Sequence, residues 1–289
     1  MNTLKTTMLM ALLTGILVAV GGAFGGSHGA AIMLILSFAM NFFSYWFSDS
    51  IVLRAYGAQE VSSEQAPELY RLVQRLAANA ELPMPKVCII RSDVPNAFAT
   101  GRSPSHAAVA VTTGIMRTLN YEELGGVLGH ELSHIKHHDT LISTIAASIA
   151  GVISMIANIA QWAAIFGMGR SNSDDDNNGG IIGMLFTIIV APLAAMLIQL
   201  AISRSREYEA DRSGGEICGD PLALASALEK IEYFAQNARP MEQATPATAH
   251  MFIINPLKNS HEMFVSLFST HPATSERIAR LKEQAAARR

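Results

Sequence analysis

Long apolar runs alternate with polar blocks along the chain, and that alternation predicts its organisation. Residues 9–24 and 30–47 are almost wholly apolar and are separated by Gly25-Gly26-Ser27-His28-Gly29, a turn-rich break. A third run covers residues 141–168 and a fourth covers 181–202, with Pro192 a predicted kink. A helix needs about 20 apolar residues to cross a bilayer core, so four transmembrane helices are predicted. They form an N-terminal hairpin over residues 1–48 and a second hairpin over 140–203. The link at 169–180 holds Asp174, Asp175 and Asp176 among Ser, Asn and Gly, and reads as a short solvated loop. Tyr45 and Trp46 close the second run as an interfacial aromatic belt.

The polar blocks, residues 49–139 and 204–289, carry both helical and strand periodicities. Residues 64–82 predict an amphipathic helix burying Leu69, Leu72, Val73 and Leu76, ended by Pro83 and Pro85. Residues 86–90, 96–100 and 107–112 predict strands, the last two joined through Gly101 to Ser105. Asn120 as N-cap and Glu123 three residues later predict a capping box, with Leu124, Val127 and Leu128 forming the helix's apolar stripe. In the second block Asp220-Pro221 starts a helix over 222–235, residues 240–258 are irregular, and Thr274 or Ser275 caps a last basic helix. The expected molecule is an α-helical membrane protein carrying an α+β domain built from both polar blocks.

Composition sharpens this. Half of the residues are hydrophobic and 16% are charged, with a mean hydropathy of +0.26. That balance suits a membrane protein better than a soluble enzyme. A net charge of −3 without a basic block argues against a nucleic-acid partner. Cys88 and Cys218 are too isolated for a zinc-thiolate site or a disulfide framework. Lys5, Arg54, Lys136, Arg204 and Arg206 flank the apolar segments on one side, while the other side offers Arg170 beside three aspartates. The positive-inside rule then places both termini and both polar blocks in the cytoplasm.

The candidate chemistry lies in His130-Glu131-Leu132-Ser133-His134. An H-E-x-x-H pattern on a helix puts both imidazoles on one face, where they can share a metal ion, and lets the glutamate reach a water on it. A hydrolytic zinc takes three protein ligands, so one more must come from elsewhere. The stretch after the fourth apolar run holds Glu207, Glu209, Asp211 and Glu216. Glu207 and Asp211 share a helix face, so one can bind the metal while the other accepts a ligand histidine's free N–H. Spacing alone does not exclude Glu209 or Glu216. His271 is the candidate donor to a tetrahedral oxyanion and Asn96 the candidate for binding substrate backbone, while the strand at 107–111 is expected to accept an extended peptide at its edge. His137 lies off the ligand face by its i+3 offset from His134, and both His137 and His138 are read as solvated or as standing behind the ligands. From a different class, a membrane adaptor with a structural metal would normally close its shell with four residues, often cysteine.

These motifs resemble the HtpX heat-shock membrane metalloproteases, relatives of the CAAX prenyl proteases. The resemblance rests on H-E-L-S-H, S-R-x-x-E-x-x-A-D over residues 203–211, Asn96-Ala97-Phe98-Ala99 and His271-Pro272, and it covers nearly the whole chain. It implies a gluzincin-type zinc metalloendopeptidase domain with one Zn2+ per subunit, bound by His130, His134 and Glu207. Glu131 would be the general base and Asp211 would support His130. It further implies an inner-membrane, multi-pass enzyme that degrades misfolded or damaged membrane proteins and unfolded polypeptides under stress, in cooperation with other membrane proteases. A dedicated processing protease of the CAAX type is the alternative enzyme.

Overall fold

The structure, a computed structural model, describes residues 2–143, 145, 204–237, 253 and 272–288. Helix α1 (Asn2–Trp46) is broken at Gly26, whose φ of 57° and ψ of −145° suit a residue without a Cβ. The two arms fold back on each other. Asn41 Nδ2 donates to Met10 O at 3.3 Å and to Thr14 Oγ1 at 3.0 Å. A methyl on Gly21 would lie 2.5 Å from Gly29 O, so the arms touch backbone to backbone there. Ile32, Ile35, Phe38 and Phe42 project outward and are exposed. Among the described residues one helix, Gly25–Phe43, is long and apolar enough to cross a membrane; the helix at Thr6–Ala19 is shorter. Nearly all of the expected second hairpin lies outside the described residues.

The polar part continues through α2 (Ser48–Ala55), β1 (Gln59–Glu60), α3 (Pro67–Asn79), β2 (Lys86–Ile90), β3 (Ala97–Ser103) and β4 (His106–Thr112). It goes on with α4 (Thr113–Thr118), α5 (Tyr121–Lys136), α6 (Arg204–Cys218), α7 (Pro221–Asn237) and α8 (Thr274–Ala286). The strands form one sheet in the order β1-β2-β4-β3, with β2 and β4 parallel and the other pairs antiparallel. Alternate side chains serve opposite faces. Val87, Ala97, Val109 and Val111 join α3 and α5 in the main core. Cys88, Ile90, Phe98 and Ala110 pack on the other face with Val52 and Tyr56.

Three expectations are corrected. The strand proposed as a peptide-accepting edge, β4, is hydrogen-bonded on both sides, and the edge beside α5 is β3. The parallel β2–β4 pairing, which hairpin logic does not foresee, moves β3 to the outside. Helix α3 stops at Asn79, because Glu81 adopts a φ of 59° and turns the chain before either proline is reached. The last helix has no side-chain cap: Ala273 is its N-cap, and Thr274 is buried within the first turn.

Candidate metal centre

Helix α5 begins where the sequence places it. Asn120 Oδ1 accepts from Glu123 N–H at 2.8 Å, and Glu123 Oε2 accepts from Asn120 N–H at 2.9 Å. Val127, Leu128 and Leu132 are fully buried and hold the helix against the core. His130 and His134 then share one face, with Nε2 atoms 3.2 Å apart. Helix α6 packs across them. A methyl on Gly214 would lie 2.7 Å from His130 Cα, and one on Gly129 would lie 2.8 Å from Gly214 O. This backbone contact lets Glu207, on the first turn of α6, reach both imidazoles.

Glu207 Oε2 lies 3.8 Å from His130 Nε2, and Oε1 lies 3.6 Å from His134 Nε2. One ligand atom from each of the three residues falls within 4.8 Å of the others. Ligands about 2.0–2.2 Å from a tetrahedral ion stand roughly 3.3–3.6 Å apart, so the donor set fits a zinc-sized cation. The far sides of the rings are tied down as such a site requires. His130 Nδ1 lies 2.9 Å from Asp211 Oδ1, and His134 Nδ1 lies 3.4 Å from Asp139 Oδ2. With Nδ1–H donated outward, each Nε2 presents its lone pair to the shared point.

Electrostatics follow from burial. Desolvation raises the pKa of Glu131 above the carboxylate range, against the pull of the two histidines. Desolvation would lower His134, but the hydrogen bond to Asp139 and the charges of Glu207 and Glu131 outweigh it and push the pKa up to about 9. A cation at this point therefore competes with a proton. Burial would raise Asp211, yet the Arg277 guanidinium holds it down to about 2. Glu131 Oε2 accepts from Ala99 N–H at 2.8 Å, which fixes the carboxylate against edge strand β3.

The structure thus brings His130, Glu131, His134, Glu207 and Asp211 together. Asn96 is placed differently from the expected substrate contact. It is 2% exposed, and its Oδ1 accepts from Ile253 N–H at 3.3 Å. His271 lies outside the described residues. Glu209 and Glu216 are exposed. Asp139, Arg206 and Arg277 were not foreseen as part of the site. For Asp139 a signal existed, a carboxylate just past the ligand helix, where His138 turns the chain with a φ of 58°.

The sequence profile of peptidase family M48 matches residues 63–285. A Thermodesulfovibrio yellowstonii protein described as a protease HtpX homolog is 60% identical over 285 residues, 99% of each chain. HtpX homologs from Syntrophobacter fumaroxidans and Pyrococcus furiosus are 54% and 55% identical, covering 96% of this chain and 98% and 94% of theirs. The crystal structure of S. mikatae Ste24p shares the fold, with a TM-score of 0.52 at 19% identity over 97% of this chain. This chain spans 65% of the length of that one. With the profile covering both ligand helices and the curated relatives matching nearly end to end, the chain belongs to peptidase family M48, as an HtpX-type protease.

Proposed function

We propose that this protein is a zinc-dependent endopeptidase of the inner membrane that cleaves misfolded or damaged membrane proteins at the cytoplasmic face, in quality control and the stress response. The observation that carries the reading is the convergence of His130, His134 and Glu207 on one point with Glu131 beside it. When bound, zinc supplies an acidified water and a Lewis acid for the scissile carbonyl. Glu131 takes a proton from the attacking water and passes it to the leaving amine, a role suited to a carboxylate whose pKa burial has raised. The outer edge of β3 offers main-chain hydrogen bonds to an extended peptide, which selects locally unfolded substrates. His271 is the proposed donor to the oxyanion. Location is supported by the exposed apolar hairpin and by the basic residues that flank the apolar runs.

The test is hydrolysis of an unstructured polypeptide by the purified protein alongside its metal content. Glu131→Gln should abolish cleavage while the metal stays bound. His271→Ala should lower kcat about 100- to 1000-fold, the size of losing one oxyanion donor. Undiminished cleavage by Glu131→Gln would sink the enzyme mechanism. A structural metal shell would be closed by a fourth residue, and among the described residues the cluster has three members.

A further inference from the structure

Arg277 is among the largest fully buried side chains of the protein, at 1% exposure. A guanidinium placed there needs a specific task, because burying a charge is costly unless it is paired and hydrogen-bonded. Its partners are all accounted for. Nε donates to Asp211 Oδ2 at 2.8 Å and Nη2 donates to Asp211 Oδ1 at 2.6 Å, a two-pronged grip on one carboxylate. Nη1 donates to Ile253 O at 3.0 Å, and the N–H of Ile253 is held by Asn96. Asp211 Oδ1 also faces His130 Nδ1 at 2.9 Å. The 3.5 Å approach of Arg277 Nη2 to that same nitrogen brings two donors to one oxygen rather than making a bond between them.

We propose that Arg277 is a positioning residue for the metal centre: its fork fixes the Asp211 carboxylate that orients His130, so docking of α8 completes the site. The proposal rests on the metal-centre reading above. Without the fork, the Asp211 carboxylate is free to rotate, and the His130 ring loses its fixed direction. The third contact of Arg277 holds Ile253 by its carbonyl, while Asn96, just before β3, holds the same residue by its N–H. A lysine at 277 keeps the charge but cannot make the fork. It separates orientation from simple electrostatics, since the net charge beside the cation stays the same.

Purified full-length protein is titrated with Zn2+ against a chromophoric chelator, and the unfolding temperature of the metal-stripped form is measured in parallel. Arg277→Lys should weaken Zn2+ binding about 10- to 100-fold, the usual effect of losing a partner behind a ligand. Leu281→Ala, a core truncation on the same helix, should lower the unfolding temperature and leave the affinity of the folded protein near wild type. Equal affinities for wild type and Arg277→Lys would overturn the proposal, as would an equal loss in Leu281→Ala. Failure of the wild type itself to bind Zn2+ would overturn the metal centre and the proposal with it. A second measurement needs no variant. Coupling is reciprocal, so Zn2+ should slow amide exchange in α8 of the wild type; slowing confined to α5 and α6 would also overturn the proposal.

Discussion

Behind each ligand imidazole stands a buried carboxylate with an arginine of its own. Asp211 carries Arg277, and Asp139 carries Arg206, whose Nη1 lies 3.2 Å from Asp139 Oδ1. Burial would raise the pKa of Asp139, but His134 and Arg206 outweigh it and keep the group ionised. Asp139→Asn halves the acceptors available to His134 and Arg206 and removes the charge. It should weaken metal binding about 10- to 100-fold, read by chelator competition; wild-type affinity would remove Asp139 from the site. How legible these residues were depended on how local their signal is. His130, Glu131 and His134 stand at fixed helical spacing, and Asp211 is one turn from Glu207 on the same helix. Arg277 gave no signal, because a basic residue on a basic helix reads as solvent-facing. Its burial is decided by a carboxylate 66 residues away.

Among the elements, α5 is the piece to which the others are fitted. Its contact with α6 depends on Gly129 and Gly214, where backbones meet directly. Gly214→Ala would place a methyl 2.7 Å from His130 Cα and force the helices apart. The overpacking should cost about 1–3 kcal/mol and also reduce metal affinity, measured by thermal unfolding and metal titration; an unchanged affinity would show that the contact does not set ligand spacing. The start of α5 is tied to α7. Glu123 Oε1 accepts from Ser226 at 2.7 Å, and Oε2 accepts from Lys230 Nζ at 2.7 Å. Desolvation would raise the Glu123 pKa, but these bonds and the capping box lower it overall. A depressed carboxylate contributes stability that is complete above the unfolded value and is lost as pH falls through the folded value. Glu123→Gln should therefore cost about 1–3 kcal/mol near neutral pH and flatten the acid limb of the stability curve, followed by denaturant unfolding at stepped pH. A parallel downward shift at all pH values would contradict the assignment. The capping half of this arrangement could be read from Asn120 and Glu123 alone. The α7 half could not, since Ser226 and Lys230 lie more than 100 residues away and carry no pattern that names their partner.

At the scale of the molecule, the Arg102 side chain links the apolar hairpin to the edge strand. Arg102, near the end of β3, donates from Nη1 to Trp46 O at 3.2 Å and lies over the Trp46 ring at 4.8 Å. Trp46 ends the hairpin in a run of aromatic residues, the type that settles at a membrane–water boundary. Ala99, whose N–H holds Glu131, is three residues back along the same strand. Three residues of strand span about 10 Å, so the Glu131 carboxylate stands close to the bilayer surface in the proposed setting. A soluble fold on a flexible anchor would range over the full reach of its linker; here Arg102 clamps the strand to the hairpin. The expected consequence is a distance limit on cleavage. Substrates with one transmembrane anchor, a rigid helical spacer and one unstructured cleavable segment would be reconstituted with the enzyme in vesicles. Each spacer residue adds about 1.5 Å, and cleavage should be greatest when the segment starts within about 20 Å of the membrane, falling as the spacer lengthens. Arg102→Ala should blunt that dependence while a short free peptide is still cleaved at the wild-type rate. Cleavage indifferent to spacer length in the wild type would mean that the clamp does not hold the active centre at the membrane surface.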